Sequence, residues 1–161
     1  MKIELYSDYM DEEDICYTKW RKSARGIIIN EKNEILVVYY KNSDVYMLPG
    51  GGIEENESVI DAAIREVKEE TGYLTKYVST GANVVEYFPD ETWDNTYVVL
   101  EYFDKVDQAL TEEEVDLELT PLWIDLYEFM DLLSSYESNH PFGSNIHNRE
   151  LMGILNSDFI K

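Results

Sequence analysis

Apolar and polar positions along the chain fall into two repeating patterns. Residues 26–29, Gly26-Ile27-Ile28-Ile29, form a short apolar run that reads as a buried strand. Residues 31–34 are polar and read as a hairpin turn, and Ile35-Leu36-Val37-Val38-Tyr39-Tyr40 reads as the returning strand. Residues 41–44 read as a loop. Residues 75–86, 96–103 and the short 122–124 are further strand candidates. Residues 126–136 and 148–155 read as helices, with Pro141 and Gly143 marking the connection before the second. The acidic stretch 111–118 reads as a loop, and the first 18 residues as mixed strand and turn. Strands that pair as hairpins, interleaved with helices, predict an α/β fold with a mixed sheet.

The most informative pattern lies at residues 57–71, predicted as a helix with Asn56 as its cap and Gly72 as its left-handed stop. Ile60, Ala63, Ile64, Val67 and Thr71 share one stripe at helical spacing, the face expected to pack on the sheet. Glu66, Glu69 and Glu70 stand at i, i+3 and i+4 and form a second stripe, turned about 100–130° from the first. Like charges so placed oppose helix formation by about 0.2–0.5 kcal/mol per pair. Arg65 offsets part of this by reaching Glu69 or Glu57, and a hard divalent cation would offset far more. A solvated charged face is the plainer reading of an acidic helix. Pro49-Gly50-Gly51-Gly52, immediately upstream, weighs against it, because such a run suits a backbone that must approach a ligand closely.

Composition narrows the function classes. The 161 residues fit one domain, read as 1–161, with 1–22 an N-terminal extension and 143–161 a C-terminal helix added to the core. Thirty-four acids against 13 bases give a net charge of −21, which argues against nucleic-acid binding. A phosphorylated small molecule remains compatible if bound cations supply local positive charge. No membrane span is expected, and the acidic N-terminal residues do not resemble a secretory signal, so the expected location is cytoplasmic. The single cysteine, Cys16, reads as a half-buried thiol. The spacing of His140 and His147 fits no zinc pattern.

The run Gly51-x5-Glu57-x7-Arg65-Glu66-Val67-x-Glu69-Glu70-x-Gly72-Tyr73 resembles the Nudix box of the Nudix (MutT-like) hydrolases. It departs only at Tyr73, where a smaller aliphatic residue is usual. The resemblance implies an α/β/α sandwich. It also implies pyrophosphohydrolase activity on a nucleoside diphosphate linked to another moiety, with Mg²⁺, or Mn²⁺, as cofactor. By position it makes Glu66, Glu69 and Glu70 metal ligands, assisted by a Gly50 or Gly51 carbonyl, with Glu57 and Arg65 orienting them. Glu69 or Glu70 would serve as base. A downstream acid is also expected, drawn from Glu112, Glu113, Glu114, Asp116 and Glu118, with Glu118 favoured for its place just before the short strand.

Substrate contacts are expected from Arg25 and Tyr46. Arg21 and Lys22 are further candidates for a phosphate, and Tyr39, Tyr97 and Trp93 for stacking on a base. The competing reading is a catalytically silent Nudix-fold module that binds a nucleotide or a protein. The two terminal additions are candidates for a homodimer contact.

Overall fold

The computed structural model describes residues 1–8 and 10–159. Tyr9, Ile160 and Lys161, which fall within the two expected additions, lie outside the described residues. Eight strands run β1 Lys2–Tyr6, β2 Trp20–Ile27, β3 Glu34–Tyr40, β4 Val45–Met47, β5 Gly50–Gly52, β6 Tyr73–Tyr87, β7 Thr92–Lys105 and β8 Leu119–Asp125. Among the described residues four α-helices are interspersed, α1 Val59–Thr71, α2 Glu112–Asp116, α3 Leu126–Ser135 and α4 Gly143–Leu155, with a 3-10 turn at Glu12–Asp14. The larger sheet has the order β1-β6-β7-β2-β5 and is mixed, with β1–β6 and β7–β2 parallel and the other pairs antiparallel. A second, antiparallel sheet has the order β4-β3-β8. No described helix is long and apolar enough to cross a membrane.

Alternation along the strands divides the core into two layers. Ala24, Ile28 and Val98 face α1, where they meet Ala62, Ala63 and Val67. Ile27, Tyr97 and Val99 face the opposite way, toward Leu126 and Phe129 of α3 and Ile154 of α4. The large sheet therefore has α1 on one side and α3 and α4 on the other, and the small sheet contributes to both layers, Leu36 and Trp123 beside α1 and Ile35 and Val37 beside α3. Helix α1 comes very close to β2: a Cβ on Gly26 would meet Val67 Cγ2 at 2.6 Å. The first 22 residues contribute the edge strand β1 and the start of β2, and α4 buries Ile154 in the core.

Several expected boundaries are corrected. Helix α1 starts at Val59 with Ser58 as its cap, the hydroxyl accepting from Asp61 N–H at 3.0 Å. Asn56 has φ 62° and sits in a turn, whereas a cap residue needs extended backbone. Gly72 ends α1 at φ 79°, as expected, and any Cβ there would strike the Val106 carbonyl. The buried face of α1 is broader than the predicted stripe and includes Ala62 and Glu70.

Strands β2 and β3 do not form a simple hairpin. They belong to different sheets and touch through the Ile29–Ile35 bridge and a Leu36 N–H to Ile28 carbonyl bond. The acidic stretch after Thr111 is the short helix α2, not a loop. Thr111 caps it, and Glu112, Glu113 and Glu114 occupy its first turn, where the helix dipole favours negative charge. Helix α4 begins five residues earlier than residue 148, the expected start. It has no side-chain cap to announce it, and Gly143 fits there because a Cβ would collide with Ser138.

Candidate active site

Helix α1 and the glycine run before it build the site together. Arg65 is the tie. Its Nε donates to Glu57 Oε2 at 2.7 Å, and its Nη2 donates to Glu57 Oε1 and to the Gly52 carbonyl, both at 3.0 Å. Its Nη1 reaches Glu66 Oε1 at 3.0 Å and Glu69 Oε2 at 3.2 Å. One guanidinium thus fixes the end of the glycine run, Glu57 just ahead of the helix cap and two helix carboxylates. The paired guanidinium holds the Glu57 carboxyl below the usual range, and the surrounding carboxylates push Arg65 further up.

Glu70 is almost wholly buried, at 2% exposure. Its Oε2 accepts the Gly50 N–H at 3.0 Å and its Oε1 accepts the Tyr40 hydroxyl at 3.3 Å. Burial, and then repulsion from Glu66, raise its pKa well above the ordinary value, against the Gly50 amide and the Arg25 charge. Glu66 is also raised, chiefly by burial, with Glu69 and Glu114 adding repulsion and Arg65 opposing. A Cβ on Gly51 would lie 2.6 Å from Glu66 Oε1, so any larger residue here would displace this carboxylate.

Glu66, Glu70, Gly50 and Gly51 open on a cavity of about 440 Å³, which α2 closes from across with Glu113 and Glu114. Among the described residues, no lysine or arginine lines it. Glu114 uses Oε1 to accept the Thr111 hydroxyl at 2.9 Å, while its buried Oε2 has no partner among the described residues. Glu69 does not line the cavity and is held outward by Arg65. Among the described residues, no three acidic, histidine or cysteine side chains are already gathered in a metal-holding geometry.

The structure redirects three expected contacts. Glu118 is exposed, has φ 53°, and faces Lys41 at 3.7 Å away from the cavity, whereas Glu113 and Glu114 of the same stretch line it. The sequence lists all three within one acidic run. Only helix formation over residues 112–116 aims Glu114 inward. Arg25 is buried beneath the glycine run, donating to the Leu48 carbonyl at 3.3 Å and lying 3.7 Å from Glu150, and it lines no described cavity. Tyr46 points away from the cavity, since strand alternation puts Val45 and Met47 on the wall instead. Its ring stacks on Tyr39 at 4.3 Å and meets Tyr136 edge-on.

A buried charge network absent from the sequence reading joins α4 to the large sheet. Arg149 donates to Glu150 at 2.9 Å and to Glu86 at 3.4 Å, and the Tyr97 hydroxyl donates to Glu150 at 2.7 Å. A helix starting at 148 in a generic acidic sequence gives no sign that this arginine and glutamate are internal. His147 is buried beside it, its Nε2 accepting the Tyr46 N–H at 3.0 Å.

Known proteins resemble this chain in both sequence and fold. The NUDIX domain family matches residues 19–145. A putative 8-oxo-dGTP diphosphatase of Bacillus subtilis is 47% identical over 54 residues, covering 34% of this chain and 36% of that protein. An ADP-ribose pyrophosphatase of Methanocaldococcus jannaschii is 44% identical over 55 residues, covering 32% of each. The chain therefore spans about a third of the length of these curated relatives. A solved NUDIX hydrolase from Nitrosomonas europaea superposes with TM-score 0.60 at 17% identity, over 84% of this chain and 90% of that one. An ADP-ribose pyrophosphatase from Streptococcus suis gives 0.54 at 19% identity, over 84% and 89%, and these two show the fold alone. With the family match running from β2 into α4 and the carboxylate helix inside it, the chain belongs to the Nudix family.

Proposed function

We propose that the protein is a divalent-metal-dependent pyrophosphohydrolase acting on a nucleoside diphosphate linked to another moiety. One observation carries this reading. A cavity walled by Glu66, Glu70, Glu113 and Glu114, with no lysine or arginine among its described lining residues, repels a diphosphate unless cations come with it.

The residues present fit such a cation. The donors are all oxygen, as Mg²⁺ and Mn²⁺ prefer. Glu66 and Glu70 are pushed up chiefly by burial, with Glu69 and Glu114 adding to Glu66 and Glu66 adding to Glu70; Glu114 Oε2 lacks a partner among the described residues, and Gly51 clears the approach to Glu66. Glu66 and Glu70 would hold the metal, with the Gly50 or Gly51 carbonyl assisting, and Glu69 would have to leave Arg65 to join them. When bound, the metal neutralises the diphosphate and lowers the pKa of a coordinated water.

The chain's own side chains do the rest. Arg65 and Glu57 hold the carboxylate stripe in place from behind, a positioning role. Glu70 and Glu114 are the cavity carboxylates available to take the proton of the attacking water, and Glu69 becomes available only on leaving Arg65. Glu114 is favoured over Glu118 because its buried Oε2 is unclaimed and its side chain faces Glu66 and Glu70.

The relatives' names supply the candidate substrates, an oxidised deoxynucleoside triphosphate and ADP-ribose. The test is a substrate panel of nucleoside triphosphates, ADP-ribose and nucleotide sugars with Mg²⁺, scored for released phosphate or nucleotide. Turnover abolished by chelation supports the proposal. Nucleotide binding without turnover on any member supports the silent-module reading instead.

A further inference from the structure

The three glycines of β5 have no side chains with which to fix themselves, yet Gly50 and Gly51 border the carboxylate cavity. Beyond the ladder to β2, each is held by a side chain from elsewhere. Arg65 donates to the Gly52 carbonyl, and Glu66 lies against Gly51. Both of these come from α1. Gly50 is held twice, by Glu70 of α1 on its N–H and by Arg25 of β2 beneath it. Arg25 is the register partner of Gly50, and a Cβ on Gly50 would meet Arg25 Cγ at 2.7 Å.

Arg25 comes to this position from the face of the sheet opposite α1, since its neighbour Ala24 packs with Ala62 and Ala63. Its Nη1 donates to the Leu48 carbonyl at 3.3 Å, two residues before Gly50, and to Met47 Sδ at 3.9 Å. A charged donor makes one of the stronger hydrogen bonds, and this one falls on the segment that leads into the glycine run. On its other side, Arg25 Nε lies 3.7 Å from Glu150 Oε1. Glu150 is wholly buried on α4 and is fixed by Arg149 at 2.9 Å and by the Tyr97 hydroxyl at 2.7 Å. Tyr97 is the register partner of Arg25 in β7, so the two reach Glu150 side by side. With Glu86 on Arg149, the network has two arginines and two carboxylates, and its charges balance. Burial and Glu66 raise the Glu70 pKa and the Arg25 charge opposes them, which puts Arg25 within electrostatic reach of that carboxylate.

We infer that Arg25 is a positioning residue for the cation: anchored by Glu150 of α4, it fixes Leu48 and Gly50 from below, so that the glycine run and Glu70 keep the spacing a bound cation needs. Arg25 does not line the carboxylate cavity, and its effect passes through the backbone it holds. The inference rests on the proposed function in taking Glu70 and the glycine run as the cation's surroundings. It makes α4, which contributes Ile146 to the cavity wall, a second support of the site beside α1.

The test uses the full chain and two readouts that need no turnover. The first is hydrogen exchange of the Gly50 amide in metal-free protein, followed by NMR. The second is the Mn²⁺ dissociation constant, from electron paramagnetic resonance. Arg25→Lys keeps the charge, but one ammonium on a shorter stem cannot serve Leu48 and Glu150 together. With circular dichroism unchanged, it is expected to speed Gly50 exchange about tenfold while Val67, inside α1, stays protected. It is also expected to raise the Mn²⁺ dissociation constant about tenfold. Ile154→Val, which loosens α4 in the core without touching the network, should move neither readout.

Either readout unchanged in a folded Arg25→Lys, or both changed equally by Ile154→Val, overturns the inference. If Arg25→Lys does not fold, Arg25→Met with Glu150→Gln removes one charge of each sign and carries the same two expectations. Failure of this pair to fold as well assigns Arg25 to stability alone and also overturns it. Wild type that binds Mn²⁺ while the variant binds equally well overturns the role of Arg25 and leaves the proposed function standing. Wild type that binds no Mn²⁺ overturns both.

Discussion

Arg65 grips Glu57 with two parallel hydrogen bonds, Nε to Oε2 at 2.7 Å and Nη2 to Oε1 at 3.0 Å, across the loop that enters α1. The same guanidinium restrains Glu66 and Glu69 and holds the Gly52 carbonyl. A lysine cannot reproduce this fork. Arg65→Lys is therefore expected to lower kcat about 10–100-fold while the fold persists. Steady-state kinetics with circular dichroism checks this, and wild-type kcat would show that the fork does not position the carboxylates.

Glu70 couples stability to function with opposite signs. Its buried carboxylate is destabilised by burial and by Glu66. Glu70→Gln keeps an acceptor for the Gly50 amide and removes the repulsion. The metal-free variant is expected to melt roughly 2–4 °C higher than wild type, equivalent to about 1 kcal/mol. Its turnover should fall by orders of magnitude. Saturating Mg²⁺ with nucleotide should raise the wild-type melting temperature and leave the variant nearly unmoved. Thermal scans with and without metal measure both effects.

The downstream acid is separable by comparing two substitutions. Glu114→Gln is expected to reduce kcat by about 10²–10⁴-fold, because its side chain enters the cavity. Glu118→Gln, at an exposed residue facing Lys41, should leave kcat essentially unchanged. The reverse ranking would return the role to Glu118.

His147 makes stability depend on pH. Burial lowers its pKa below 6.5, while Glu150 and Asp44 pull upward and Arg149 pulls downward. The folded state thus favours the neutral ring, whose Nε2 accepts the Tyr46 amide. A lowered histidine pKa gives stability that is complete above the unfolded-state value and is lost as pH falls below it. Urea midpoints should drop from pH 7.5 to pH 5.5, about one unit either side of the ordinary histidine pKa, more in wild type than in His147→Gln. Equal drops in the two proteins would assign the effect to other groups.

The carboxylate helix was readable because its chemistry and its periodicity occupy the same residues. Glu66, Glu69 and Glu70 are set by spacing, Gly72 by its stop position, and the glycine run by close approach to Glu66. What could not be read depends on contacts distant in sequence. Asn56 and Ser58 are both acceptable caps, and only the turn at Asn56 decides between them. The acids after Thr111 look like a loop until their helix aims Glu114 inward. Arg25 carries a formal charge suited to phosphate, yet strand alternation sends it to Leu48 and Glu150 inside the protein. Helix α4 begins without a side-chain cap.

The central claim is that the carboxylates of α1 hold a divalent cation against a diphosphate. Its most direct test is Mn²⁺ titration followed by electron paramagnetic resonance, with a non-hydrolysable nucleotide present. Wild type should deplete the free Mn²⁺ signal saturably, and Glu66→Gln and Glu70→Gln should lose most of that binding. A free Mn²⁺ signal undiminished by wild-type protein, or diminished equally by the variants, would contradict the account.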